Sequence, residues 1–347
     1  MLHGVAAERR GEVSRPLVIG LVNSMPGEAL GHTERQFRDI LSAACGQATP
    51  RLRFFTLDDV SRAGPRYDDV AALATAEVDG LIVTGMPPRA ASLRDEPYWD
   101  KLAALVDFAM EHAIPTVWSC LAAHAAVLHL DGIERQRLPE KLSGLVACTR
   151  AEADHALLAG LPERWWMPHS RYNELPTEAL RRAGYRLLSH GADAGADAGA
   201  DLFARDDAPF LFCQGHPEYD AAALLREYRR DIRQFLAGER DSYPAAPRDY
   251  LSDAVAPQLA AFHRQALRDR TPDTIAAFPM DACLADLTHS WRDLAIGIYA
   301  NWLGLVAERQ AARPPMATTA AAAWGRPRAG WARPAVRVPA AGTRGVA

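Results

Sequence analysis

Short apolar runs alternate with amphipathic stretches through the first part of the chain. Pro16–Val22 (PLVIGLV), Leu52–Leu57, Gly80–Thr84 (GLIVT) and Thr116–Ser119 read as strands buried on both faces. Between them, Thr33–Ala44 and Tyr98–His112 carry apolar residues at helical spacing. Strand alternating with helix predicts an α/β fold, a mostly parallel sheet flanked by helices. Beyond Gly144 the predicted strands shorten to Leu145–Thr149, Tyr185–Ser189, Leu202–Ala204 and Phe210–Cys213. A helix is expected from Ala221 to about Leu236, with further helical patterns at Asp249–Arg268 and Ser290–Glu308. The repeat GADAGADAGAD, Gly191–Asp201, reads as a mobile surface loop. The expected organisation is a leader over 1–15, a core over 16–240, a helical C-terminal region of the same domain over 241–310, and a disordered Ala/Pro/Arg-rich tail over 311–347.

Composition narrows the function. With 347 residues, 49% of them hydrophobic, the chain can bury a substantial core. Net charge is −4 and the part expected to fold carries no basic stripe, which argues against a nucleic-acid partner. No apolar run is long enough for a membrane helix, and the start, MLHGVAAERRGEVSR, lacks a signal-peptide core. Five cysteines, an odd number without metal-type spacing, predict neither a disulfide framework nor a metal site, and suit the cytoplasm.

The candidate chemistry sits at strand ends, where open α/β sheets bind ligands. Cys120 follows the fourth strand and precedes the helix-like run Leu121-Ala122-Ala123-His124. A sharp turn there holds the sulfur clear of the backbone, and a helix N-terminus favours thiolate over thiol. An ordinary buried thiol is the competing reading; the small Ala122 and Ala123 favour a nucleophile. Cys213, inside a predicted strand, and Cys45, at a helix end, read as structural. The strand Phe210–Cys213 leads into Gln214-Gly215-His216-Pro217-Glu218, placing a base and an orienting carboxylate where Cys120 needs them. His-Pro-Glu alone is a common surface triplet; the strand before it carries the weight. His124, one helical turn past Cys120, points away from the thiol and reads as a packing or supporting histidine.

Several motifs occur together in a fixed order. They are GLIVTG (80–85), Tyr98-Trp99, Ser119-Cys120, EKLSG (140–144), PHSRY (168–172), GHPEYD (215–220) and Asn301-Trp302-Leu303. The set resembles the homoserine O-succinyltransferase family, which is related in fold to class I glutamine amidotransferases of flavodoxin-like architecture. The likeness runs from about Pro16 to about Phe235, with a patch at Ser290–Leu305. The resemblance implies ping-pong transfer of an acyl group from acyl-CoA to the hydroxyl of L-homoserine, in methionine biosynthesis. It implies succinyl-CoA or acetyl-CoA as co-substrate, no bound cofactor or metal, and a homodimer. Cys120 would be acylated, His216 would act as base and acid, and Glu218 would orient it. Lys141, Ser170 and Arg230 would line the substrate site, the Arg230 fork suiting an amino-acid carboxylate. Backbone N–H groups of Met86 and Leu121 would form the oxyanion hole.

Three departures bear on substrate. Leu121 stands where the family usually has tryptophan, and the region after Tyr243 differs. Arg89 stands where the family has glycine or glutamate, at a position associated with the choice of succinyl or acetyl donor. It could meet the succinyl carboxylate, turn to solvent, or grip a CoA phosphate. Alternatives are an O-acetyltransferase acting on homoserine or serine, a glutaminase or amidohydrolase of the amidotransferase type, and a silent binding protein. The sequence WSCLA lacks the glycines that usually flank a glutaminase nucleophile, and a silent protein need not keep a triad.

Overall fold

The structure, a computed structural model, describes residues 15–45, 49–193 and 196–312. Its strands are β1 (Val18–Val22), β2 (Arg51–Thr56), β3 (Tyr67–Asp69), β4 (Gly80–Val83), β5 (Thr116–Ser119) and β6 (Gln136–Arg150). They continue with β7 (Arg164–Glu174), β8 (Tyr185–Leu187), β9 (Ser189–Asp193), β10 (Ala196–Ala200), β11 (Leu202–Arg205) and β12 (Phe210–Cys213). One sheet runs β3-β2-β1-β4-β5-β12-β11-β8, parallel from β3 to β12 and antiparallel at the β12–β11 and β11–β8 pairs. A second, antiparallel sheet runs β10-β9-β6-β7.

Successive strand residues drop into two different cores, which is why these strands read as unbroken apolar runs. Leu81, Val83, Trp118, Phe210 and Phe212 pack beneath the helices Trp99–Glu111 and Leu121–Asp131. Ile82, Val117, Leu211 and Cys213 face the other way, toward Phe37 and Leu41 of the helix Glu28–Cys45. Tyr299, Trp302 and Val306 of the helix Arg292–Ala312 close that second core. The parallel sheet is therefore covered on both faces. A third cluster joins the helix Ala223–Leu236 to Ala256–Arg268 and Met280–Asp286 through Tyr228, Ile232, Phe235, Phe262 and Cys283.

The second sheet departs most from expectation. The run expected as a strand at Leu145–Thr149 is the end of the much longer β6, and the polar PHSRY segment lies within β7. Both belong to an antiparallel sheet whose outer face meets solvent, so neither shows a continuous apolar signal. The Gly/Asp repeat is a hairpin, β9 and β10, in place of the expected loop. Pairing of β9 with β6 gives it a backbone ladder that needs no bulky side chains, and Asp201 at its end is buried. Arg15, expected to end a loose leader, makes a bidentate pair with Asp79 at 2.9 and 2.8 Å. The expected disordered tail, 311–347, overlaps the helix Arg292–Ala312 at its first two residues; from 313 on it lies, like the rest of that leader, outside the described residues. Among the described residues, no helix is long and apolar enough to cross a membrane.

Candidate active site

Strands β4, β5 and β12 lie side by side, with Val83 opposite Trp118 and Ser119 opposite Cys213. Their carboxyl ends therefore release Gly85, Cys120 and the Gln214–His216 segment onto one edge of the sheet. Cys120 has φ 50° and ψ −113°, a costly backbone for a residue with a Cβ. Two links hold it: the Cys120 N–H donates to the Cys213 carbonyl at 2.7 Å, and the Cys120 carbonyl accepts the His124 N–H at 3.2 Å. The helix that follows has no side-chain cap, so the N–H groups of its first turn are available to an anion. Gly85 closes in from β4, where a Cβ would lie 3.1 Å from the Leu121 nitrogen and 3.4 Å from the Cys120 Cβ. A side chain at 85 would crowd the turn, so glycine suits this close approach, and the next residue, Met86, is buried.

His216 is fixed from three sides. Its N–H donates to the Pro168 carbonyl at 2.8 Å, its Nδ1 meets Glu218 Oε1 at 2.8 Å, and its ring stacks on Tyr219 at 4.2 Å. Glu218 Oε1 also accepts the Ser119 hydroxyl at 3.4 Å. With Nδ1 committed to Glu218, Nε2 is the nitrogen left to hydrogen-bond the Cys120 side chain. Burial disfavours an imidazolium here, but the Glu218 and Cys120 charges outweigh it and hold the His216 pKa well above the ordinary imidazole range. His124 is a separate matter: its Nε2 is 2.9 Å from Gln214 Oε1, and burial lowers its pKa to about 3, so it stays neutral.

Beside this pair lies a cluster of opposed charges. The Glu227 carboxylate accepts the Tyr219 hydroxyl at 2.5 Å and the Ser170 hydroxyl in a short bond. Lys141 Nζ is 2.7 Å from Asp231 and 3.7 Å from Glu227, while Arg230 bonds Asp231 at 2.8 Å and reaches Glu227 at 3.7 Å. Burial pushes Glu227 upward, yet Lys141 and Arg230, with the Ser170 and Tyr219 bonds, hold it below the usual carboxylate range. Sheet and helix both contribute: Lys141 comes from β6, Ser170 from β7, and the acidic groups from Ala223–Leu236. Arg89 lies elsewhere. Its guanidinium is 2.5 Å from Asp58 and about half exposed, while its backbone N–H donates to Glu96 at 2.7 Å.

A sequence profile of the homoserine O-succinyltransferase family matches residues 4–312. The chain belongs to the homoserine O-succinyltransferase family. It is 48% identical over 308 residues to a homoserine O-succinyltransferase from Methylorubrum extorquens, covering 86% of this chain and 90% of the relative. It is 46% identical over 302 residues to one from Rhodopseudomonas palustris, covering 85% and 89%. Among solved structures, a glutamine amidotransferase from Thermotoga maritima aligns with a TM-score of 0.49 at 11% identity, covering 85% of this chain and 99% of that one.

In this homoserine O-succinyltransferase family member the structure brings together Cys120, His216 and Glu218, and places Lys141, Ser170 and Arg230 around one neighbouring carboxylate. That carboxylate, Glu227, escaped the sequence reading, because an acidic residue on an amphipathic helix looks like any solvated charge. Tyr219, which touches both the imidazole and Glu227, lay within the GHPEYD motif but was assigned nothing.

Proposed function

We propose that the protein transfers the succinyl group of succinyl-CoA to the hydroxyl of L-homoserine through a thioester on Cys120, a step of methionine biosynthesis. The observation that carries this reading is the His216 ring, held by Glu218, in contact with Cys120 at an uncapped helix start. The Cys120 thiolate attacks the thioester carbonyl, and the oxyanion is received by the Leu121 and Met86 N–H groups. Each such donor is worth about 10²–10³ in rate. Collapse expels the CoA thiolate, which takes the proton from His216. The homoserine hydroxyl then gives its proton back to His216 while its oxygen attacks the acyl carbon, and Cys120 leaves as thiolate. The starting ion pair is restored, and no resident cofactor enters the cycle.

A zwitterionic acceptor needs one group of each sign. Glu227, held anionic among cations, suits the ammonium; Arg230, half exposed, suits the carboxylate, with Lys141 and Ser170 fixing Glu227 between them. Arg89, already paired with Asp58, suits solvent or a CoA phosphate better than the succinyl carboxylate. The test is a matrix of succinyl-CoA and acetyl-CoA against homoserine and serine, reading CoA release. Fastest release with succinyl-CoA and homoserine is expected. A preference for acetyl-CoA, or glutamine hydrolysis without CoA chemistry, contradicts the reading.

A further inference from the structure

Behind the candidate site lies a second set of reactive side chains that the acyl-transfer chemistry does not use. Cys148 of β6, His169 of β7 and Asp201 are all buried, with one donor atom of each within 4.8 Å of the other two. Such a trio invites a metal, but the imidazole excludes it. Arg171, itself buried, donates from Nε to His169 Nδ1 at 3.3 Å. A nitrogen that accepts there leaves the ring proton on Nε2, the atom a metal would need. Nε2 instead lies 3.3 Å from Asp201 Oδ1, a close charge contact in which neither atom completes a well-aligned hydrogen bond, while the other Asp201 oxygen accepts the Ser189 hydroxyl at 2.9 Å. Burial, against the pull of Asp201, lowers the His169 pKa and keeps the ring neutral; Asp201 is held below the usual carboxylate range because the nearby His169 and Cys148 and the Ser189 bond outweigh its own burial. The result is a neutral ring between a buried cation and a buried anion.

What this ring touches gives it a purpose. A Cβ built on Gly215 would lie 2.4 Å from Met167 Cγ, 2.8 Å from Asp201 Oδ1 and 3.0 Å from His169 Nε2. The backbone of Gly215 is thus seated directly on the His169–Asp201 contact. On either side, the Gln214 N–H donates to the Asp201 carbonyl at 2.9 Å, and the His216 N–H to the carbonyl of Pro168, next to His169, at 2.8 Å. We propose that Arg171, His169 and Asp201 form a positioning relay that seats the Gln214–His216 backbone and so aims the His216 imidazole at Cys120. The inference rests on Cys120 and His216 being the reacting pair. None of the three relay residues is a catalytic residue.

The rate of Cys120 alkylation by iodoacetamide, followed by peptide mass across pH, reports that aim without requiring turnover. His216→Ala supplies the reference: if it leaves the Cys120 profile unchanged, the reacting pair itself is misassigned. Given a changed reference, His169→Phe should shift the profile toward that of His216→Ala. It should also lower kcat by about ten- to a hundredfold with KM for succinyl-CoA little moved, as expected for a small misplacement. His169→Gln, which keeps an acceptor and a donor, should restore most of both. Should His169→Phe fail to fold, Gly215→Ala asks the same question by lifting the turn without removing a polar group, and should shift the profile likewise. A folded His169→Phe or Gly215→Ala with the wild-type profile and kcat overturns the relay. So does stoichiometric zinc in the purified protein that Cys148→Ser removes.

Discussion

In the proposed cycle Glu218 sets how tightly His216 holds its proton. Its charge, together with Cys120, outweighs the burial of His216 and raises its pKa. Glu218→Gln keeps the shape and removes the charge, so His216 should release its proton at lower pH. The alkaline limb of the CoA-release burst should move down accordingly, and kcat should fall by about 10²–10⁴-fold. An unmoved limb would mean the carboxylate has no hold on the ring. Arg89 is the contrasting residue, a charge on the loop after β4 whose partner is Asp58. An exposed pair of this kind contributes about 0–1 kcal/mol. Arg89→Ala should therefore leave the ratio of kcat/KM for succinyl-CoA over acetyl-CoA unchanged; a loss confined to succinyl-CoA would show the guanidinium meeting the acyl carboxylate.

Among the elements, the helix Leu121–Asp131 is unusual in being buried on nearly every side, with His124 enclosed in it. The folded protein keeps His124 neutral down to about pH 3, whereas an unfolded histidine takes up a proton near its ordinary 6.5. Stability is thus complete above about pH 6.5 and drains as pH falls toward 3, by up to a few kcal/mol in order of magnitude. Urea midpoints measured from pH 7 to 4 should fall, and His124→Gln should flatten the slope; an unchanged slope would place the acid sensitivity in other groups. The same helix shows what the sequence revealed. β1, β4, β5 and β12 were legible because both their faces are buried, and Cys120 and His216 because each directly follows such a strand. β7 and all of β6 before Leu145 were not, since one open face mixes polar residues into the pattern. Asp201 was hidden for another reason: its repeat gives no hint that its last aspartate ends in the core beside His169.

For the whole molecule, the site is where separate layers meet. The parallel sheet presents Cys120 and His216, the antiparallel sheet presents Lys141 and Ser170, and the helix Ala223–Leu236 presents Glu227 and Arg230, backed by the C-terminal helices. The proposed reacting pair and the charge cluster proposed to hold the acceptor therefore rest on different elements, joined through Tyr219. That division suits two half-reactions, with donor chemistry completed before the acceptor enters. Intact-protein mass after mixing with succinyl-CoA and no homoserine tests this directly. The protein should gain the mass of one succinyl group on the peptide that carries Cys120, lose it when homoserine is added, and gain nothing as Cys120→Ala. A wild-type protein that turns over both substrates but never carries the acyl group would contradict the covalent route.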